Sequence, residues 1–471
     1  MTAFSGKKVW LSGHTGFKGS WMAAWLLDLG ADVHGFALEP LTSPALFNLL
    51  GLERRLLHEL GDLRDAAAVK QSIRSARPDF VFHLAAQAIV RTSFEQPVET
   101  YSTNVMGTIH VLEALRTLEN PCSAIFVTTD KCYENREWVH GYREEDPLGG
   151  FDPYSSSKAG AELAIASWRR SFFADHPVRI ASVRAGNVIG GGDYARDRII
   201  PDCVRALQAD QSIAVRNKVA TRPWQHVLDP ISGYLWLAAV LKHPELRPYA
   251  GALFTSPFNF GPGLESNRTV AELVVEVLRH WPGRWEDRSD PNAVHEAKLL
   301  NLSTDKAFHL LGWKPAWAFE RAIDATVAWY RKATEVANQK GLVPHAVLAE
   351  LTSGQIREYQ EHAVAAGVPW AAKTPTEAEV QPPLIIRRVR SPGSASVSML
   401  LFGSLRLASN RSTTDGKRTG DQGVHPYRYT ITNRLMRMYC VLAASDGSRL
   451  FNSSWSSRAR RATMTGSPRE A

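Results

Sequence analysis

The stretch LSGHTGFKGSW, residues 11–21, constrains the fold more than any other part of the chain. An apolar run, KKVWLSG (residues 7–13), ends on Gly13, and Gly16 and Gly19 follow before a helical pattern, SWMAAWLLDLG, takes over. A strand that turns on glycines directly into a helix defines a βα unit whose turn can lie close against a ligand. The helix start offers free N–H groups and a positive dipole end, which together suit a pyrophosphate. A glycine-rich turn that merely permits close packing has the same local pattern. Its place between the first strand and the first helix favours a dinucleotide site.

The pattern repeats. Residues 31–38, 78–86, 123–130 and 178–190 read as further strands with few polar interruptions, as expected of parallel strands covered on both faces. Helical segments lie between them, the first stopped by Gly30. Strand–helix repeats with right-handed crossovers predict an α/β fold, a doubly wound parallel sheet of Rossmann type, over residues 1–190. Residues 191–332 mix Pro, Trp and Arg and are expected to form mainly a smaller mixed α/β substrate domain, with some chain returning to the first core. Residues 333–373 read as a polar helical extension, and residues 374–471 as a basic tail that is disordered or foreign to the fold.

Charge supports that division. The chain holds 55 Lys and Arg and 47 Asp and Glu; residues 373–471 take 16 of the former and 6 of the latter, which leaves a near-neutral body of 39 against 41. Nucleic-acid binding loses its main support, since such proteins carry their charge on the folded surface. No apolar run reaches the length of a membrane span. The longest candidate, ISGYLWLAAVL (231–241), reads as a buried helix, and the N-terminus shows no secretion signal. Cys122, Cys132, Cys203 and Cys440 lie far apart without metal-type spacing, so no metal is expected and free thiols in a reducing cytoplasm are.

Two further stretches carry chemistry. SAIFVTTDK ends an apolar strand on a hydroxyl, an acid and a base: Thr129, Asp130 and Lys131. A strand end turning into solvent would look alike, with Lys131 simply paired to Asp130. PYSSSKAGAE puts Tyr154 and Lys158 one helical turn apart on one face. An ammonium near a phenol favours the phenolate, and a phenolate can take a proton from an alcohol as hydride leaves the same carbon. The acidic residue that usually ends the second strand is missing: Ala37 stands there, with Glu39 two residues on. No Arg follows either, so NAD is expected over NADP.

Together these motifs resemble the extended short-chain dehydrogenases/reductases: GHTGFKG, GDLRD, HLAAQ, Asn104 in STNVMGT, TTDK, YSSSK and RAGNVIGGGD. DRIIPD and TRPWQHVLDP narrow the resemblance to CDP-glucose 4,6-dehydratases, over residues 6–373. The resemblance implies cofactor contacts from Gly13, Thr15, Gly16, Phe17 and Gly19, from Asp62 and Leu63, from Leu84, Ala85, Ala86 and Gln87, and from Asn104, Tyr154 and Lys158. It implies that Thr129 binds the sugar's 4-hydroxyl, Asp130 protonates the departing 6-hydroxyl, and Lys131 removes the C5 proton. Arg91, Asn187, Arg198 and Arg222 match positions near the sugar and its phosphates. The implied partners are a sugar nucleotide and a second copy of the chain, as a homodimer or a dimer of dimers, in deoxysugar synthesis for surface polysaccharide. A dehydratase for GDP-mannose or dTDP-glucose, a 4-epimerase, and a silent NAD-binding protein remain as alternatives. His83 and Cys132 read as packing residues, and Trp224 as either a stacking or a core side chain.

Overall fold

The glycine turn lies between β1 (Lys8–Ser12) and α1 (Phe17–Asp28), and Gly30, at φ +78°, reverses the chain into β2 (Asp32–Ala37). The computed structural model describes residues 2–248, 251–289, 299–339 and 344–371; the tail expected at 374–471, with Cys440, lies outside the described residues. The pattern continues with β3 (Leu57–Leu60), α2 (Ala66–Ala76), β4 (Phe80–His83), α3 (Gly107–Leu115), β5 (Cys122–Val127), α4 (Pro153–Ser171) and β6 (Val178–Ala185). A later strand, β7 (Phe258–Phe260), returns to pair beside β6.

The seven strands lie parallel in the order β7-β6-β5-β4-β1-β2-β3. This is the doubly wound arrangement, and the order reverses between β1 and β4. Such a reversal opens a crevice at the strands' carboxyl ends, where ligands of these folds bind. Apolar side chains cover both faces, around Trp21, Trp25 and Trp313 on one and around Trp10, Leu112 and Ile165 on the other.

Residues 178–190 do not form one strand. β6 stops at Ala185, and Val188–Ile189 pairs instead with Gln225–His226, outside the main sheet. The break comes at Gly186, which backs onto Asp130: a Cβ there would sit 3.0 Å from that carboxylate. The 231–241 run lies inside α5 (Leu228–Lys242), buried from Leu228 through Leu241, and no helix among the described residues is long and apolar enough to cross a membrane.

At the far end, α6 (Phe319–Asn338) runs unbroken through residue 332. The next helix, α7 (Pro344–Ala365), is more than a polar extension. Leu348, Thr352, Ile356, Tyr359 and Ala363 are buried at near-helical spacing, and Tyr359 and Trp370 pack edge-on against Trp25 of α1, at 5.8 and 5.9 Å between ring centres. The chain's late helix thus forms the wall behind its first one.

Candidate active site

The crevice between β1 and β4 is floored by backbone. Gly13 has φ +76°, and a Cβ on it would lie 2.7 Å from the Ala85 nitrogen. A Cβ on Gly19 would lie 2.0 Å from the Gly13 carbonyl oxygen. Both positions therefore need glycine, one for its conformation and one for close approach. α1 starts at Gly16 without a side-chain cap, which leaves its first N–H groups facing the crevice. This cradle fits the pyrophosphate of a dinucleotide.

The β4 end is tied to the cradle by Ser12, a residue the sequence reading passed over. Its hydroxyl accepts from Leu84 N and Ala85 N at 3.1 and 3.2 Å and meets His83 Nδ1 at 2.8 Å. His83 is buried and also bonded to Thr108, as expected of a packed strand residue, and burial lowers its imidazole to about 3. Thr15 donates to the Leu38 carbonyl at 2.9 Å, while Phe17 is half-buried beside the core. Leu63 packs under Gly107. Asp62 is occupied by Arg64, whose guanidinium reaches both carboxylate oxygens and, by that hydrogen bond, holds the acid below its ordinary range.

Asn104 is a brace. Its amide donates to the Gln87 carbonyl at 3.0 Å and to Ser157 Oγ at 2.8 Å, and its oxygen accepts from Gln87 N at 2.9 Å. It sits in a π-turn, Ser102–Met106, just before α3. Gln87 is thereby locked to the helix that carries Tyr154 and Lys158.

The hydroxyl, acid and base converge as the motifs suggest. Thr129 caps a short 3-10 turn, Asp130–Cys132, accepting from Lys131 N at 3.3 Å and donating to Asp130 Oδ1 at 2.9 Å. Tyr154, on the first turn of α4, lies beside Thr129, close enough for the hydroxyl to act on its phenol. Asp152 caps that helix by accepting from Ser155 N, and Pro153 follows at its first position, which sets the entry angle. Thr129, Asp130, Tyr154 and Lys158 are all buried, and Lys131 is half-buried. Cys132 is fully buried, and burial pushes its thiol up, so it packs as expected.

One expectation is corrected. Lys158 was expected to lower the Tyr154 phenol, but burial pushes that phenol up to about 12, against the opposing pull of Thr129 and Arg198. The lysine is turned aside: its Nζ donates to the Val127 carbonyl at 3.3 Å. Burial also lowers the amine itself from 10.5 to about 8, although Glu162 one turn on pulls the other way.

Around this centre the arginines divide. Arg198 lies close enough to Tyr154 to act on its charge, with Nη1 on Asp193 Oδ2 at 2.8 Å. Arg91 stands at the exposed lip, paired with Asp197 at 3.2 Å. Arg222 lies on a short strand, Thr221–Pro223, and Asn187 is half-buried in the break after β6. Trp224 fills core, its Nε1 donating to the Arg268 carbonyl at 3.0 Å.

Lys18 was missed by the sequence reading. Its Nζ lies 5.6 Å from the Tyr234 ring centre, and burial, helped by Arg198 and Lys158, lowers its amine to about 8. Asp130 acts on it in the opposite sense. A charged residue two places past a cradle glycine is the only sequence signal for it.

The comparisons with known proteins agree with this architecture. Residues 11–326 match the family model described as GDP-mannose 4,6 dehydratase. The CDP-glucose 4,6-dehydratase of Salmonella typhimurium is 46% identical over 338 residues, covering 70% of this chain and 91% of that protein. The mouse (Mus musculus) dTDP-D-glucose 4,6-dehydratase is 28% identical over 336 residues, covering 69% and 89%. Among solved structures, the dTDP-glucose 4,6-dehydratase DesIV of Streptomyces venezuelae, crystallised with NAD, superimposes with a TM-score of 0.57 at 24% identity over 69% of this chain and 97% of its own. The chain belongs to the GDP-mannose 4,6 dehydratase family, beside CDP-glucose 4,6-dehydratase.

Proposed function

We propose that this protein dehydrates a sugar nucleotide, CDP-glucose, to CDP-4-keto-6-deoxyglucose, with NAD as its resident cofactor. The observation that carries the proposal is the single turn holding Thr129, Asp130 and Lys131, joined through Thr129 to Tyr154. Oxidation at C4 alone needs only the hydroxyl and phenol. An acid and a base on the next two residues suit a site that also expels water.

The Gly13–Gly19 cradle would hold the pyrophosphate, and Ala85 to Gln87 would lie along the nicotinamide half. Bound NAD+ supplies the hydride acceptor for C4 and the hydride donor for C6. Thr129 and Tyr154 bind the 4-hydroxyl, and Tyr154, whose phenolate Arg198 favours against the effect of burial, takes its proton. The resulting 4-ketone acidifies C5–H, so the weak base Lys131 removes that proton while Asp130 delivers one to the departing 6-hydroxyl. Asp130 gives Oδ1 to Thr129 rather than to Lys131, so the acid and base are not neutralised against each other. Arg198, with Arg91, Arg222 and Asn187 around it, would meet the diphosphate and sugar.

Cytosine as the base is supported by the 46% identity to the Salmonella enzyme. Residues 1–190 would serve the cofactor and 191–332 mainly the sugar nucleotide. A homodimer is supported by large apolar side chains left exposed on residues 90–101 and α4, among them Phe94, Val98 and Leu163. Cytoplasmic location is supported by three buried free thiols, Cys122, Cys132 and Cys203.

Incubation with CDP-glucose and catalytic NAD+ tests the reading by mass spectrometry. Loss of one water with no net cofactor reduction is expected. Inversion at C4 with no mass change would mean an epimerase, and inertness toward CDP-glucose, GDP-mannose and dTDP-glucose would overturn the enzyme.

A further inference from the structure

Behind the Thr129–Lys131 turn lies a second polar set that the reaction above does not use. Glu162 of α4 and Arg184 of β6 form an ion pair at 2.9 Å, each side chain only 3% exposed. Glu162 also accepts from the Thr128 hydroxyl at 2.5 Å and from Ser182 at 2.8 Å. Arg184 donates to the Tyr133 hydroxyl at 2.7 Å and to the Glu144 carbonyl at 3.0 Å, with its guanidinium 4.8 Å from the Tyr133 ring centre. Tyr133 in turn donates to Asn259 on β7 at 2.8 Å.

Thr128 and Tyr133 bracket the turn, one residue before Thr129 and one after Cys132. The ion pair therefore grips both ends of the segment that carries Asp130 and Lys131. Stability does not call for such a device, since a buried ion pair is commonly matched or bettered by apolar side chains of the same size. A fixed placement of the segment does.

We propose that Glu162, Arg184 and Tyr133 are positioning residues for water loss, setting Asp130 over C6 and Lys131 over C5. The proposal rests on the dehydratase reading. Tyr154 and Lys158 lie on α4 and keep their own supports, the Asp152 cap and the Val127 carbonyl. Loosening Tyr133 should then spare oxidation at C4 and slow elimination.

The test measures two steps in the full-length protein with CDP-glucose and NAD+: cofactor reduction by near-ultraviolet absorbance, and water loss by mass with solvent deuterium entering C5. Tyr133→Phe keeps the ring and removes the hydroxyl. Its expected result is C4 oxidation within a few-fold of the parent and water loss slowed on the order of a hundredfold, the effect of misplacing a reacting group by about 1 Å. Reduced cofactor and a 4-ketosugar that retains its 6-hydroxyl should accumulate. The double variant Glu162→Gln/Arg184→Met removes the buried charges together. It is expected to unfold at a denaturant concentration no lower than the parent's and to slow water loss at least as much; because Glu162 also acts on the Lys158 charge, the split between the two steps is read in Tyr133→Phe. Equal slowing of both steps in Tyr133→Phe, or parental water loss in either folded variant, would overturn the positioning role. A parent that sheds no water would overturn the dehydratase reading as well, so the two failures are distinguishable.

Discussion

Replacing Lys158 with methionine should make the protein more stable while abolishing its chemistry. The lysine is 6% exposed, and its amine falls from 10.5 to about 8, chiefly through burial. Each pKa unit corresponds to about 1.4 kcal/mol, so the charged lysine costs the folded state about 3 kcal/mol. The sign follows from proton counting. Between pH 8 and 10.5 the unfolded chain keeps this proton and the folded chain releases it, so stability rises with pH across that window. Below it, the whole penalty is present. Urea unfolding of cofactor-free parent and Lys158→Met should therefore differ by up to about 3 kcal/mol in favour of the variant near pH 7, narrowing by about 2 kcal/mol near pH 9.5. The lost contact to the Val127 carbonyl is long, at 3.3 Å, and offsets little of this. A variant no more stable than the parent near pH 7, or a gap that does not narrow at the higher pH, would refute the argument.

Three other outcomes are expected. Asp130→Asn keeps an acceptor for Thr129 but cannot donate the required proton; water loss should fall ~10²–10⁴-fold while hydride removal from C4 survives, measured with substrate deuterated at C4. Gly13→Ala forces φ +76° on an L-residue, worth about 1–2 kcal/mol, and drives a methyl to 2.7 Å from Ala85 N. Calorimetric titration should show NAD+ affinity reduced tenfold or more, and an unchanged affinity would remove the cradle from that role. Trp313→Ala deletes a fully buried ring bonded to Ser232 and should cost about 3–5 kcal/mol in denaturant unfolding.

What could be read from the chain in advance was whatever depended on neighbours in sequence. Five of the sheet's seven strands were legible because parallel strands covered on both faces are apolar throughout, whereas the half-exposed β3 and the short β7 were not; Tyr154–Lys158 was legible because one helical turn separates them. The break at Gly186 was not, because the group it backs onto, Asp130 in the turn after β5, is more than fifty residues away in sequence. Glu162 sits in AGAELAIA and Arg184 in RIASVRAG, and each alone reads as an exposed charge. Only the fold makes them partners. The raised Tyr154 phenol was missed for the same reason: spacing on a helix says that two groups can meet, whereas burial decides where the lysine amine turns. The buried face of α7 could have been found from Leu348, Thr352, Ile356, Tyr359 and Ala363, whose helical spacing is plain once its polar neighbours are set aside.

The contact between the first helix and the last has a consequence for how the protein is made. Trp25 emerges from the ribosome early, but the aromatic side chains that shield it, Tyr359 and Trp370, follow more than three hundred residues later. At roughly 5–20 residues per second, a nascent chain carries an unfinished N-terminal helix for tens of seconds. During that interval the helix that will form the cofactor's floor presents an apolar back to water. Chaperone demand should therefore fall on the translating chain, and any shortening that removes Trp370 should show first as loss of soluble yield.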